Sequence, residues 1–215
     1  MQTADVHVTY LISALRQFRF ERFVYLSSTR LYVHTEYTNE DTPIIVDAAD
    51  PNDIFTVTKL TAELLVIGRR DPRFKVVRLS NVFGLGDVSN NFLTSLIRDW
   101  KEGRPVVIRN SQTSNKDYIH IEDAVSGILS IVDAENTCHQ IYNLASGRNT
   151  SNAEIASIFR EYGCSVRFEN EQFTIIFPEI NVSRFREEFC EPSRNPFRRD
   201  FSKILLQKLQ LNKKS

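Results

Sequence analysis

The stretch NDIFTVTKLTAE, Asn52 to Glu63, has the outline of a catalytic helix with one atom group missing. Phe55 stands one helical turn before Lys59. A general acid or base at position 55 would need an ionisable hydrogen, and Phe has none. Other residues with chemical potential lie further along. Ser27, Ser28 and Thr29 present hydroxyls at the end of an apolar run, although a strand-to-turn junction uses the same residues. Lys59 by itself reads as a solvated helix residue, and Phe55 sits near an apolar stripe and reads equally as core. Asn81 suits a turn in any protein. His120, in DYIHIEDA, reads as a satisfied structural histidine. Arg184, Arg186, Arg194, Arg198 and Arg199 interleave with Glu187, Glu188, Glu191 and Asp200. That pattern belongs to a solvated mixed-charge surface more than to an anion site.

The elements that must position these groups alternate between helical and strand periodicity, which predicts an α/β fold with parallel strands. DVHVTYLISALRQF spaces Val8, Leu11, Leu15 and Phe18 as a helix. RFVYLSST follows as a buried parallel strand. In PNDIFTVTKLTAELLVIGRR, Ile54, Val57, Leu60, Leu64 and Ile67 form one face, with Pro51 near the helix start. KVVRLS is a second short buried strand, NVFGLGD a loop, and NFLTSLIRDWKEG a helix with Phe92, Leu96 and Trp100 on its apolar face. PVVIR is a strand, DYIHIEDAVSGILSIVDA an extended piece running into a helix, and IYNLA a buried strand. Ser151 and Glu154 make a capping box for NAEIASIFREYG. Beyond Ser165 the pattern mixes β-like segments (SVRFE, FTIIF), an Arg/Glu-rich stretch and a short last helix.

The 215 residues suffice for one domain with a real core, and 27 basic against 27 acidic side chains leave no net field favouring nucleic acid or membrane. No apolar run is long enough to span a bilayer, and the first residues lack a signal-peptide layout, so the expected location is cytoplasmic. Cys138, Cys164 and Cys190 form no CxxC pair, and the four histidines form no ligand-spaced pair, so neither a disulfide frame nor a metal site is expected. None of the seven glycines falls in a dinucleotide or Walker spacing; Gly84-Leu85-Gly86 reads as a plain tight turn.

Four stretches in order, RFVYLSSTRLY, the Phe55-to-Lys59 helix, VVRLSNVFGLGD and KDYIHIEDAVSGI, resemble the extended short-chain dehydrogenase/reductases. More narrowly, they are similar to the NAD-dependent nucleotide-sugar epimerase/dehydratase family, from about Arg22 to Gly147. The resemblance implies part of a Rossmann-like, doubly wound parallel sheet over residues 1–147. It also implies a small mixed α/β substrate-binding lobe over 148–215, within one structural unit. It places Ser28 where a Ser/Thr hydrogen-bonds the reacting sugar hydroxyl. Lys59 falls where a lysine holds the nicotinamide ribose and lowers the pKa of a neighbouring Tyr. Asn81 and Val82 match the loop bordering substrate and nicotinamide, Lys116 an Arg near the nucleotide diphosphate, and Arg184 a late diphosphate clamp.

Two departures qualify this. The chain begins at what would be the family's fourth helix, so the Gly-rich turn and acidic ribose-binding residue have no counterpart. The Y-x-x-x-K motif reads Phe55-Thr56-Val57-Thr58-Lys59, and loss of a positioned acid/base costs roughly 10²–10⁴ in rate. NAD or NADP is therefore implied by the resemblance while binding by this chain alone is doubtful. Two functions remain open: an epimerase/dehydratase-like protein impaired in isolation, or a non-catalytic binding or interaction module. The FVYL strand should carry an unpaired edge, so a second copy or partner chain is expected to cover it.

Overall fold

The computed structural model describes residues 2–189 and 197–212. Cys190, Glu191 and Arg194 lie outside the described residues. The chain begins with α1 (Gln2–Ala4), a π-helical turn over Asp5–Thr9, and α2 (Tyr10–Gln17). It continues through β1 (Phe23–Ser28), α3 (Ile54–Ile67), β2 (Phe74–Leu79), β3 (Asn81–Phe83), α4 (Phe92–Lys101), β4 (Val106–Ile108), β5 (Asn115–His120) and α5 (Ile121–Asp133). Then come β6 (Ile141–Leu144), β7 (Asn149–Ser151), α6 (Asn152–Glu161), β8 (Val166–Phe168), α7 (Ser183–Phe189) and α8 (Phe197–Asn212).

The expected parallel sheet is present, in the order β1-β2-β6, with Phe23 opposite Phe74 and Val76 opposite Ile141. β3 pairs parallel with β5, which pairs antiparallel with β7, and β4 pairs parallel with β8. Val77, Ile119, Tyr142, Leu144 and Phe185 fill the core between the first sheet and α5. Gly127 in α5 permits this packing, because a Cβ there would meet Leu144 Cδ1 at 2.6 Å. The second core draws on residues 83–118 as well as 155–205, so the expected 148–215 lobe shares its interior with the preceding segment. The predicted capping box forms: Ser151 accepts from Glu154 N, and the Glu154 carboxylate accepts from Ser151 N.

Several sequence expectations are corrected. β1 is half-exposed instead of buried, with Leu26 43% exposed, because it lies at the sheet edge and pairs with β2 alone among the described residues. In the first helical stretch Leu11 is buried, whereas Phe18 lies past the end of α2 in extended backbone, exposed. The α3 face is turned: Ile54, Val57 and Leu64 point outward, and Thr56, Thr58, Ala62, Glu63 and Val66 are buried. Apolarity alone does not pick this face, because Glu63 and Thr56 find polar partners inside. NVFGLGD is not all loop, since Asn81–Phe83 is paired as β3. FTIIF forms no strand; a single bridge joins Ile176 to Asn115. The last helix, α8, is 16 residues long, and the Arg/Glu-rich stretch contributes α7.

Candidate active site

Ligands of open α/β sheets collect at the carboxyl ends of the strands. Ser28 ends β1 there, and Asn81 opens β3 two residues after β2 ends. Four expected site residues, Ser28, Phe55, Asn81 and Lys116, line one cavity of about 250 Å³. Ser28 serves the turn, its Oγ accepting from Arg30 N at 3.2 Å to cap Thr29–Tyr32, and it also lines the cavity. Phe55 is half-buried, with the His7 ring edge-on at 5.2 Å and the Arg30 guanidinium over its face at 5.4 Å. Asn81 donates its side-chain amide to Asp117 O at 2.8 Å. The Lys116 ammonium lies over the rings of Phe92 and Phe177, at 5.3 and 6.0 Å. Burial first, and the charge of Arg30 second, push its pKa down.

Three expected site residues lie elsewhere. Lys59 donates to Leu26 O at 2.8 Å on the β1 edge, with its ammonium 4.9 Å from the Tyr25 ring centroid. Burial lowers its pKa, against the opposing charge of Glu63. Val82 lines a neighbouring opening of about 400 Å³ with Gly84 and Ile121. Arg184 pairs with Glu40 at 3.6 Å and with Asp41, and donates to Ile141 O, so its guanidinium holds the 40–41 segment against β6. Arg198 and Arg199 pair with Glu161 and Asp200, as a mixed-charge surface would.

Tyr25 does not stand in for a phenol at position 55. Its hydroxyl is buried without a hydrogen-bond partner, and burial, helped by Glu63, pushes it up to about 12. His120 is structural: Nδ1 accepts from Glu122 N at 3.4 Å and the ring packs on Phe83. Sequence spacing offered no metal ligands, yet His34, Asp50 and Asp53 bring ligand atoms within 4.8 Å of one another. Those atoms are engaged at the start of α3. Asp53 accepts from Asp47 N at 2.7 Å and Thr56 Oγ1 at 3.1 Å and pairs with His34, and Asp50 accepts from Asn52 N.

Sequence reasoning missed Arg30, Asp117 and Phe177, all of which line the same cavity. Asp117 is 3% exposed and accepts from Ser80 Oγ (2.6 Å), Ser146 N (3.0 Å), Ser146 Oγ (2.7 Å) and Arg148 N (3.0 Å). It thereby locks the cavity floor to the 146–148 turn. An acidic residue preceding an apolar run in DYIHI was the available signal.

Residues 3–145, more than half of the chain, match the NAD dependent epimerase/dehydratase family. The chain belongs to that family. It is 25% identical over 149 residues to the low-salt glycan biosynthesis protein of Haloferax volcanii, covering 67% of this chain and 46% of that protein. It is 21% identical over 155 residues to an uncharacterised UDP-glucose epimerase of Bacillus subtilis, covering 70% and 48%. The chain thus spans about half the length of these curated relatives. Among solved structures it resembles the UDP-glucuronic acid 4-epimerase of Bacillus cereus in complex with UDP-glucuronic acid and NAD. The TM-score there is 0.78 at 17% identity, over 97% of this chain and 68% of the other. A putative epimerase of Burkholderia cenocepacia gives a TM-score of 0.79 at 18% identity, over 96% and 71%. These likenesses establish the fold.

Membership of the epimerase/dehydratase family implies NAD, whose pyrophosphate needs converging backbone amides. The residues described do not fit that part of the dinucleotide. Gly84 serves close packing, since a Cβ there would lie 2.4 Å from Ile121 Cγ2, and Gly86 serves a turn at φ +88°.

Proposed function

We propose that residues 1–215 bind a nucleotide sugar and do not turn it over by themselves. The single observation that carries this reading is the wall of the 250 Å³ cavity. Ser28, Asn81 and Lys116 converge there with the ring of Phe55, and no ionisable hydrogen stands at position 55. A cavity of this size accommodates a monosaccharide-sized group more readily than a whole nucleotide sugar, whose remainder would lie outside. The rings of Phe55 and Phe177 offer apolar faces to a hexose, Ser28 a hydroxyl to one of its oxygens, and Lys116 a charge to the diphosphate. Lys59 is engaged by Leu26 O, and the family's dinucleotide chemistry has no complete seat.

Calorimetric titration with NAD(H), NADP(H) and a panel of UDP-, GDP-, CDP- and dTDP-sugars should show nucleotide-sugar binding without dinucleotide binding. Micromolar binding of a dinucleotide by this chain would sink the reading. Phe55→Tyr, supplied with NAD and a nucleotide sugar, should still give no epimerised or dehydrated product by chromatography, because the phenol alone supplies no phosphate cradle. Turnover by that single variant would overturn the proposal.

An interaction role rests on a different observation. Ile54, Val57 and Leu64 are exposed along α3, beside exposed Val6 and Tyr10 on the helical segment packed against it. Exposed apolar residues gathered on adjacent elements mark association sites, and a second copy of this chain presents a matching face. The chain should sediment as a dimer or larger species, and Val57→Glu with Leu64→Glu should return it to a monomer. A wild-type monomer at tens of micromolar would count against this surface. Free Cys138 and Cys164 suit a reducing compartment, the basis for proposing a cytoplasmic location.

A further inference from the structure

The cavity contains two cations, and its one carboxylate is fully occupied. Lys116 is half-buried over two aromatic rings, with no hydrogen bond or ion pair among the described residues. Arg30 is exposed over Phe55 and likewise has no carboxylate partner among them. Asp117 lines the same cavity, but its two oxygens already accept four hydrogen bonds from Ser80, Ser146 and Arg148. Burial first, and the Arg30 charge second, disfavour the protonated form of Lys116. Two like charges facing one small volume without a counter-charge are unfavourable when the cavity is empty, and an anion entering it relieves both.

The two cations lie over different rings. Arg30 is two residues past Ser28 and stacked on Phe55, whereas Lys116 lies beneath Phe92 and Phe177. If Lys116 meets the diphosphate, as in the reading above, the Arg30 guanidinium is left at the hexose. A neutral hexose gives Arg30 no counter-charge. A carboxylate on the hexose gives it the planar, two-oxygen partner that a guanidinium suits.

We propose that Arg30 is a specificity-determining residue and that the pocket selects nucleotide sugars whose hexose carries an acidic group. This inference rests on the nucleotide-sugar reading. The test is titration of the full 215-residue chain and its Arg30→Gln variant with UDP-glucuronic acid, UDP-glucose and UDP. The wild type should bind UDP-glucuronic acid roughly tenfold or more tightly than UDP-glucose, the scale of one hydrogen-bonded charge pair. Arg30→Gln should bring the ratio of the two affinities close to one, by weakening UDP-glucuronic acid far more than UDP-glucose, while Arg30→Lys, which keeps the charge, should retain part of the preference. Equal affinity for the two sugars, or an equal loss with both in the variant, would overturn the proposal and leave nucleotide-sugar binding intact.

If no nucleotide binds, the nucleotide-sugar reading fails, and free D-glucuronate against D-glucose decides the anion site alone. Glucuronate binding that Arg30→Gln abolishes would sustain an anion-selective pocket. Absence of both would overturn it as well.

Discussion

Glu63→Ala should destabilise the chain by about 3–5 kcal/mol, read as a lowered midpoint in urea unfolding. The Glu63 and Arg78 side chains are 1% and 4% exposed. Arg78 Nη2 and Nε reach Glu63 at 2.7 and 3.1 Å, and Nη1 donates to the Tyr32 hydroxyl at 2.7 Å. Burial alone would make the guanidinium easier to deprotonate. Glu63, and the Tyr32 oxygen after it, reverse that and hold it charged. Alanine at 63 leaves this charge in a dry interior without its counter-ion. The Tyr32 hydroxyl in turn donates to Asn143 Oδ1 at 2.9 Å, and the Asn143 amide donates to Thr38 O and Asn181 O, so the loss would spread to the 38–40 and 181 segments. A paired replacement, Glu63→Leu with Arg78→Met, should cost less than the single change because neither charge remains. A cost below about 1 kcal/mol for Glu63→Ala would mean that water reaches the pair.

Asp117→Ala joins stability to the site. Four donors lose one acceptor, and hydrogen bonds to a charged group contribute about 1.5–3 kcal/mol each where water does not replace them. Arg148 N and the Ser146 groups lie near the surface and rehydrate, so a net loss of roughly 3 kcal/mol is expected. Ser80 precedes Asn81, and the 146–148 turn borders the same floor, so ligand affinity should fall as well. Asp117→Asn should retain more stability than alanine, because one oxygen remains to accept. If Asp117→Ala bound every ligand as the wild type does, the carboxylate would not shape the cavity.

Much of the element order was legible in sequence because it rests on local signals: apolar runs for β2 and β6, the Ser151–Glu154 box, and the extended piece leading into α5. What failed depended on distant partners. Hydrophobic periodicity ranks the residues of α3 by apolarity, yet the inward face is chosen by Arg78 and Asp53, which receive Glu63 and Thr56. β3 exists because residues 115–120 lie alongside it, which three residues of NVF cannot announce. FTIIF has β-like composition but meets a neighbouring strand at one bridge only. Motif order pointed to Ser28, Phe55, Asn81 and Lys116 as site candidates, and the four line one cavity. Arg30 was missed because a lone basic residue in a turn has no pattern, and the pairing of Arg184 with Glu40 and Asp41 was not legible because an Arg/Glu-rich stretch does not reveal which acid pairs with which base.

Lys59 has a second occupation. Its ammonium covers Leu26 O on the outer edge of β1, where no strand pairs among the described residues. An edge strand with bare carbonyls is a template for aggregation, and a lysine laid along it is a common guard. The residue that matches the family's lysine therefore has a use at the sheet edge that does not depend on a dinucleotide. Solubility alone gives selection a reason to keep Lys59, whatever stands at position 55.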